Sequence, residues 1–280
     1  MREIDAKLIT QEVKRLAMEA SFFLPDDVLN SLKQAKEDEK WELASNTLGK
    51  IIDNAEIAST DQAPMCQDTG MAVVFVKLGQ DAHVVNGYIE DAINQGVREG
   101  YEEGILRKSV VGDPLNRVNT KDNTPAIIHY EIVPGDKIHI MVAAKGFGSE
   151  NMSRLKMLKP SDGLQGVKDF ILETVTLAGP NACPPLVVGV GIGGTFEKST
   201  MLAKKSLMRE LDEYSPNPFY ENLEKELLEE INALGIGPQG FGGRTTALKV
   251  SIEYYATHIA GLPVAVNINC HATRHKEVTL

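Results

Sequence analysis

The sequence predicts an α+β protein: a mixed fold with a helical N-terminal section, a largely antiparallel sheet, and three cysteines on loops. Three observations carry that prediction. Apolar residues in the first 60 positions recur at helical spacing, and two strand-length apolar runs flank a Pro134-Gly135-Asp136 turn. Helical and strand-like segments then follow one another without an internal repeat or a low-complexity tract. No linker divides the 280 residues, so 1–280 reads as one domain with 1–60 as its helical section. With 42% hydrophobic and 24% charged residues, such a chain can bury a sizeable core.

Taken in order, Ile4, Leu8, Val13 and Leu16 set an approximately helical rhythm, Pro25-Asp26-Asp27 is a helix start, and 41–57 is a further amphipathic stretch. A polar loop over 61–70 holds Cys66, and 72–78 is a short apolar strand. Residues 87–103 read as a helix, and 109–124 as irregular, with Asp113-Pro114 and Asn116-Arg117 as breakers. Strands over 126–133 and 137–144 form the clearest hairpin, and the second runs into Lys145-Gly146-Phe147-Gly148-Ser149-Glu150-Asn151. Beyond it come a helix at 162–177, a loop at 179–185 around Cys183, a strand at 186–190 and a helix at 197–211. A helix at 219–234 places Leu223, Leu227, Ile231 and Leu234 on one face. A glycine-rich stretch at 235–243 leads into strands at 245–254 and 263–268.

Charge excludes some classes of function. With 29 basic and 39 acidic residues the net charge is −10, which argues against nucleic acid or an anionic membrane surface as the main partner. Charged residues from Arg2 to Arg15 interrupt any signal-peptide core, and no apolar run reaches the roughly 20 residues that span a bilayer. A cytoplasmic location with reduced thiols is the expectation. Three cysteines are an odd number, so they cannot all pair internally, and none has the short CxxC spacing of a self-evident metal motif.

Each cysteine nevertheless sits among loop-forming or polar residues: Pro64-Met65-Cys66-Gln67-Asp68, Asn181-Ala182-Cys183-Pro184-Pro185 and Asn267-Ile268-Asn269-Cys270-His271. One such cysteine is as well explained by core filling, but three loops together favour ligands. Three thiolates can hold three irons of a [4Fe–4S] cluster and leave the fourth open as a Lewis acid; zinc is the competing metal. Gly189-Val190-Gly191-Ile192-Gly193-Gly194 also fits GxGxxG, with Glu210 and Asp212 near the expected acidic offset, so a dinucleotide fold competes with tight strand-to-helix packing. Arg107, Arg117, Arg154, Arg244 and Arg274 fall in or beside loops, where a guanidinium can grip a carboxylate. His258 is either a core histidine or a proton carrier, and Asp68, two residues from a thiolate, calls for a compensating cation.

The segments Cys66-Gln67-Asp68-Thr69-Gly70, Asn119-Thr120-Lys121-Asp122-Asn123-Thr124-Pro125-Ala126, 145–151, 179–185, 188–194 and 267–275 together resemble the iron–sulfur class I fumarate hydratases. The likeness is to the alpha subunit of the two-subunit form, shared by the L-tartrate dehydratase alpha subunit, and it spans the chain. It implies a cluster-binding domain in which Cys66, Cys183 and Cys270 hold a [4Fe–4S] cluster, its fourth iron binding a dicarboxylic acid. By the same resemblance Gln67, Asp68, Arg107 and the backbone of Gly146, Phe147 and Gly148 contact substrate. His258 pairs with Asp68 as a proton-handling couple, and Phe147 stands where members often have glycine. Because the sequence stops at Leu280, soon after the third cysteine motif, the resemblance further implies a separate beta subunit completing the site, and a dimer of heterodimers. The reaction implied is reversible hydration of fumarate to (S)-malate, with dehydration of L-tartrate to oxaloacetate as the near alternative. An electron-transfer or dinucleotide-binding subunit is the reading from another class.

Overall fold

A computed structural model describes residues 2–280. The chain divides into two compact units, each built from separate stretches of sequence. The first comprises Met1–Pro25, Asn54–Phe147 and Arg274–Leu280; the second comprises Asp26–Asp53 and Gly148–Thr273.

The first unit opens with a short strand, β1 (Arg2–Asp5), which leads into α1 (Ala6–Phe22). Asp5 caps that helix, its carboxylate accepting the Lys7 N–H at 2.7 Å. Ile9, Val13, Leu16 and Ala20 are buried along α1. Leu8, which the sequence rhythm places on the same stripe, is 40% exposed; Ile9 takes the core position because Ile4 belongs to β1 and the helical count starts later. Full burial contributes roughly 1.5–3 kcal/mol for each of Ile9, Val13 and Leu16.

In the second unit α2 (Asp26–Asp38) confirms the helix start at Pro25-Asp26-Asp27, and α3 (Glu42–Asp61) begins there and ends in the first unit. The first unit continues with β2 (Met71–Gly79), β3 (Ala82–Val85), α4 (Ile89–Glu103), β4 (Ile127–Val133) and β5 (Ile138–Lys145). β3 pairs with β1 in parallel. Strands β4 and β5 occupy the positions expected of the hairpin, but they do not pair with each other. β2 lies between them, parallel to β4 and antiparallel to β5. The reason is burial: β2 carries buried residues on both faces and needs two neighbours, whereas β4 is a largely exposed edge. The last strand, β10 (His275–Thr279), returns to this sheet and runs antiparallel to β5, His275 opposite Ala143. That pairing delivers Arg274 to the end of β5.

A four-residue helical turn, α5 (Phe147–Glu150), follows β5. The second unit then runs through β6 (Arg154–Leu158), α6 (Gly163–Ala178), β7 (Leu186–Gly193), α7 (Phe196–Ser206), α8 (Pro218–Ala233), β8 (Ala247–Tyr255) and β9 (Leu262–Asn269). Its sheet has the order β6-β9-β7-β8, with β7 buried along its whole length. The fold is α+β, and among the described residues four strand pairings are antiparallel and three parallel.

The GxGxxG stretch resolves as packing. Gly189 and Gly191 lie inside β7, where a Cβ would come within 2.3 Å of the Ala203 carbonyl oxygen and 2.0 Å of that of Ser199. These glycines let α7 sit directly on the strand rather than forming a phosphate-binding turn after it. On α8, Leu223, Leu227 and Ile231 are buried as expected, while Leu234 lies past the helix end and is 40% exposed.

Candidate active site

Within the first unit, the loop after Cys66 is fixed from several sides. The Asp68 carboxylate accepts the Gly70 N–H at Oδ1 (3.0 Å) and the Phe147 N–H at Oδ2 (2.7 Å). Gly146 passes beneath it, where a Cβ would sit 3.1 Å from Oδ2. These two N–H groups offset part of the negative charge of the carboxylate. The Arg274 guanidinium, 3% exposed, donates from Nη2 to the Asp68 backbone oxygen and from Nε to the Ala144 oxygen at 3.4 Å.

Thr69 Oγ1 donates to the Arg107 carbonyl (2.9 Å), so the loop is tied to the segment that carries Arg107, whose side chain is exposed. Tyr101, 1% exposed, donates its hydroxyl to the Thr69 carbonyl at 2.7 Å, and burial pushes its pKa up. Asn123, fully buried, donates to the Gly70 carbonyl (3.2 Å) and accepts the Ser109 and Val110 N–H groups at 2.7 and 3.2 Å. Sequence reasoning passes over Tyr101, which reads as a core residue of a helix. Asn123 lies in the 119–126 motif, so its signal is present without a role attached.

In the second unit, Cys183 closes a short turn with φ +54° and ψ +63°, a left-handed conformation that leaves the residue exposed. Its carbonyl oxygen accepts the His271 N–H at 3.4 Å and lies 3.0 Å from His271 Nδ1. Gln239 donates from both its backbone N and Nε2 to the Pro184 carbonyl (2.8 and 3.0 Å). The loops that hold Cys183 and Cys270 are therefore bonded to each other. Ahead of Cys270, Asn267 donates to Glu150 Oε2 (2.9 Å) and to Ser153 Oγ (2.6 Å), and the other Glu150 oxygen accepts Lys204 Nζ. His258 is exposed in the loop after β8, not in the core, and its Nδ1 accepts the Ala260 N–H at 3.2 Å.

None of the three cysteines forms a disulfide; Cys66 and Cys183 are exposed and Cys270 is half-buried. Among the described residues, no three His, Cys, Asp or Glu side chains within either unit come together in a way that could hold a metal ion. Cys66 belongs to the first unit, and Cys183 and Cys270 to the second. As a donor set, accessible thiols on loops fit an iron–sulfur cluster.

Of the five loop arginines, Arg107 and Arg274 are brought to the Cys66 loop. Arg154 pairs with Glu173 at 3.0 Å and lies over the Phe170 ring, Arg117 is exposed against the Pro114 carbonyl, and Arg244 is exposed. No described helix is long and apolar enough to cross a membrane.

Residues 10–279 match the family described as fumarate hydratase (Fumerase). The chain belongs to that family. A provisionally named L(+)-tartrate dehydratase alpha subunit of Methanocaldococcus jannaschii is 48% identical over 95% of both chains. L(+)-tartrate dehydratase alpha subunits of Escherichia coli strain UTI89 and of Shigella boydii are 37% and 36% identical, over 95% of this chain and 88% of theirs. The fumarate hydratases and the dehydratases so named are hydro-lyases, enzymes that add or remove water across a carbon–carbon bond.

Proposed function

We propose that this fumarate hydratase family chain is the alpha subunit of an iron–sulfur class I fumarate hydratase. It works with a beta subunit in the cytoplasm, as a dimer of heterodimers, in the reversible hydration of fumarate to (S)-malate. The observation that carries this reading is the Asp68 carboxylate of the loop that begins at Cys66, held by the N–H groups of Gly70 and Phe147.

Cys66, Cys183 and Cys270 would hold a [4Fe–4S] cluster. When bound, that cluster supplies one iron without a protein ligand as a Lewis acid toward the substrate's hydroxyl and carboxylate oxygens. The chain's own residues do the binding and orienting. Gln67 and Arg107, both exposed, reach the dicarboxylate, Arg107 by a two-pronged grip on one carboxylate. Gly146, Phe147 and Gly148 bring backbone close to it, the Phe147 N–H being given to Asp68. Asp68 and His258 handle the proton, His258 at Nε2 because its Nδ1 accepts a backbone N–H. Such proton transfer contributes on the order of 10²- to 10⁴-fold in rate.

Dehydration of L-tartrate to oxaloacetate is the second reading, favoured by the names of the relatives above. The two substrates share a dicarboxylate frame and differ in hydroxylation, a difference that pocket hydrogen bonds decide. The test is iron and sulfide content of anaerobically prepared protein, repeated on Cys66→Ser, Cys183→Ser and Cys270→Ser. Loss of iron in each is expected, and iron retained in all three removes the cluster. Parallel assays of fumarate and L-tartrate with the two-subunit complex separate the substrates, and full turnover by the isolated chain removes the partner.

A further inference from the structure

We infer that Arg274 is a positioning residue that sets the place of Asp68, an inference that rests on the proposed function. Its guanidinium is buried in the first unit and reaches two elements at once. Nη2 holds the Asp68 carbonyl, and Nε holds the Ala144 carbonyl at 3.4 Å, one residue before the end of β5. Asp68 and β5 are joined a second time by the Asp68 carboxylate, which takes the Phe147 N–H two residues past that strand. The Cys66–Gly70 loop is thus clamped to the β5 terminus through both the backbone and the side chain of one residue.

The chain places Arg274 there deliberately. It follows Cys270 by four residues and begins the segment that returns to the first unit, where β10 pairs with β5 through His275 and Ala143. A planar, permanently charged group with donors fixed in a fork can serve two carbonyls at once; an ammonium, though it carries the same charge, cannot reproduce that geometry. Arg274 touches no reacting atom. It orients the carboxylate that does.

The prediction concerns Arg274→Met and Arg274→Lys. In the isolated full chain, without iron, amide hydrogen exchange is measured on peptides covering 66–70 and 146–148, with peptides from β7 and β9 as the internal control. Exchange in the first two is expected to rise about tenfold in Arg274→Met while the controls stay fixed, with Arg274→Lys between it and wild type. In the anaerobic two-subunit complex, kcat is expected to fall roughly 10- to 100-fold, with KM within about threefold and iron per chain unchanged. Unchanged exchange at 66–70 overturns the inference, as does exchange that rises equally in β7 and β9, or a kcat loss matched by iron loss. Cys66→Ser in the same complex separates the two levels. If Cys66→Ser keeps its iron, the cluster reading fails and the inference with it. If Cys66→Ser loses its iron while Arg274→Met behaves as wild type, the positioning role alone fails.

Discussion

Asp68 and Gly146 show how closely the proposed site is built at the scale of single residues. A Cβ on Gly146 would lie 3.1 Å from Asp68 Oδ2, tight enough that the carboxylate must give by a few tenths of an ångström. Gly146→Ala is therefore expected to weaken the Phe147 N–H bond and to lower kcat by about tenfold, with a melting temperature close to wild type. Turnover at the wild-type rate would show that the carboxylate has room to spare. Gly70 is more constrained: its φ is +73° and a Cβ would come within 2.6 Å of the Lys145 backbone, so Gly70→Ala disturbs fold and site together. Residues of this kind were legible in the sequence where they sit inside a short motif, as Cys66, Asp68 and Gly146 do. Tyr101 was not, and Asn123 was visible in its motif without a role. They act by bonding backbone carbonyls 31 to 53 positions away, and such pairings leave no local pattern to read.

Among the elements of the second unit, α8 and β8 are joined by a buried charged cluster. Glu224, fully buried on α8, accepts the Ile252 N–H of β8 at 2.7 Å, the Ser215 N–H at 3.0 Å and an N–H of the Arg209 guanidinium. Glu224→Ala takes from Arg209 its close partner, leaving Glu253 at 3.8 Å, strands the Ile252 and Ser215 N–H groups, and is expected to cost roughly 3–5 kcal/mol, read by urea unfolding. Lys249, on β8, is 1% exposed, and its Nζ lies 3.2 Å from the centre of the Tyr214 ring. Burial lowers its pKa from the ordinary lysine value to about 8, with Glu224 opposing the shift and Arg209 adding to it. Below about pH 8 the folded chain carries this desolvated charge at full cost, and the unfolded chain carries it in water. Between pH 8 and the unfolded lysine value the folded state gives up the proton first, so its cost fades and stability rises with pH. Lys249→Met is expected to stabilise the protein by on the order of 1–3 kcal/mol at pH 7, an advantage that shrinks by pH 9.5. A constant difference across that range would show that packing, not charge, is responsible. Most elements of this unit were readable from their apolar period, but pairing was not readable in the first unit: its β4 and β5 runs read as a hairpin because they are close in sequence, while the buried demand of β2 for two neighbours is a tertiary fact.

For the molecule as a whole, the two units are interleaved: the chain enters the second at Asp26, leaves it at Asp53, re-enters at Gly148 and leaves again after Thr273. The family match covers both, and the proposed ligands are drawn from both, Cys66 from one and Cys183 and Cys270 from the other. The cysteines sit in short motifs visible in sequence, whereas this division did not show because no linker marks any of the four crossings. Anything that binds only the folded chain raises its stability in proportion to how tightly it binds. Loading with iron and sulfide under anaerobic conditions is therefore expected to stabilise a chain whose thiols hold the group. Cys66 is exposed, so Cys66→Ser changes the metal-free protein by no more than about 0.5 kcal/mol. Wild type and Cys66→Ser are therefore expected to melt together before loading and to separate after it, wild type moving up by several degrees in scanning calorimetry. Equal upward shifts in both proteins would mean that Cys66 holds no part of the group, and no shift in wild type would mean that loading does not engage the fold.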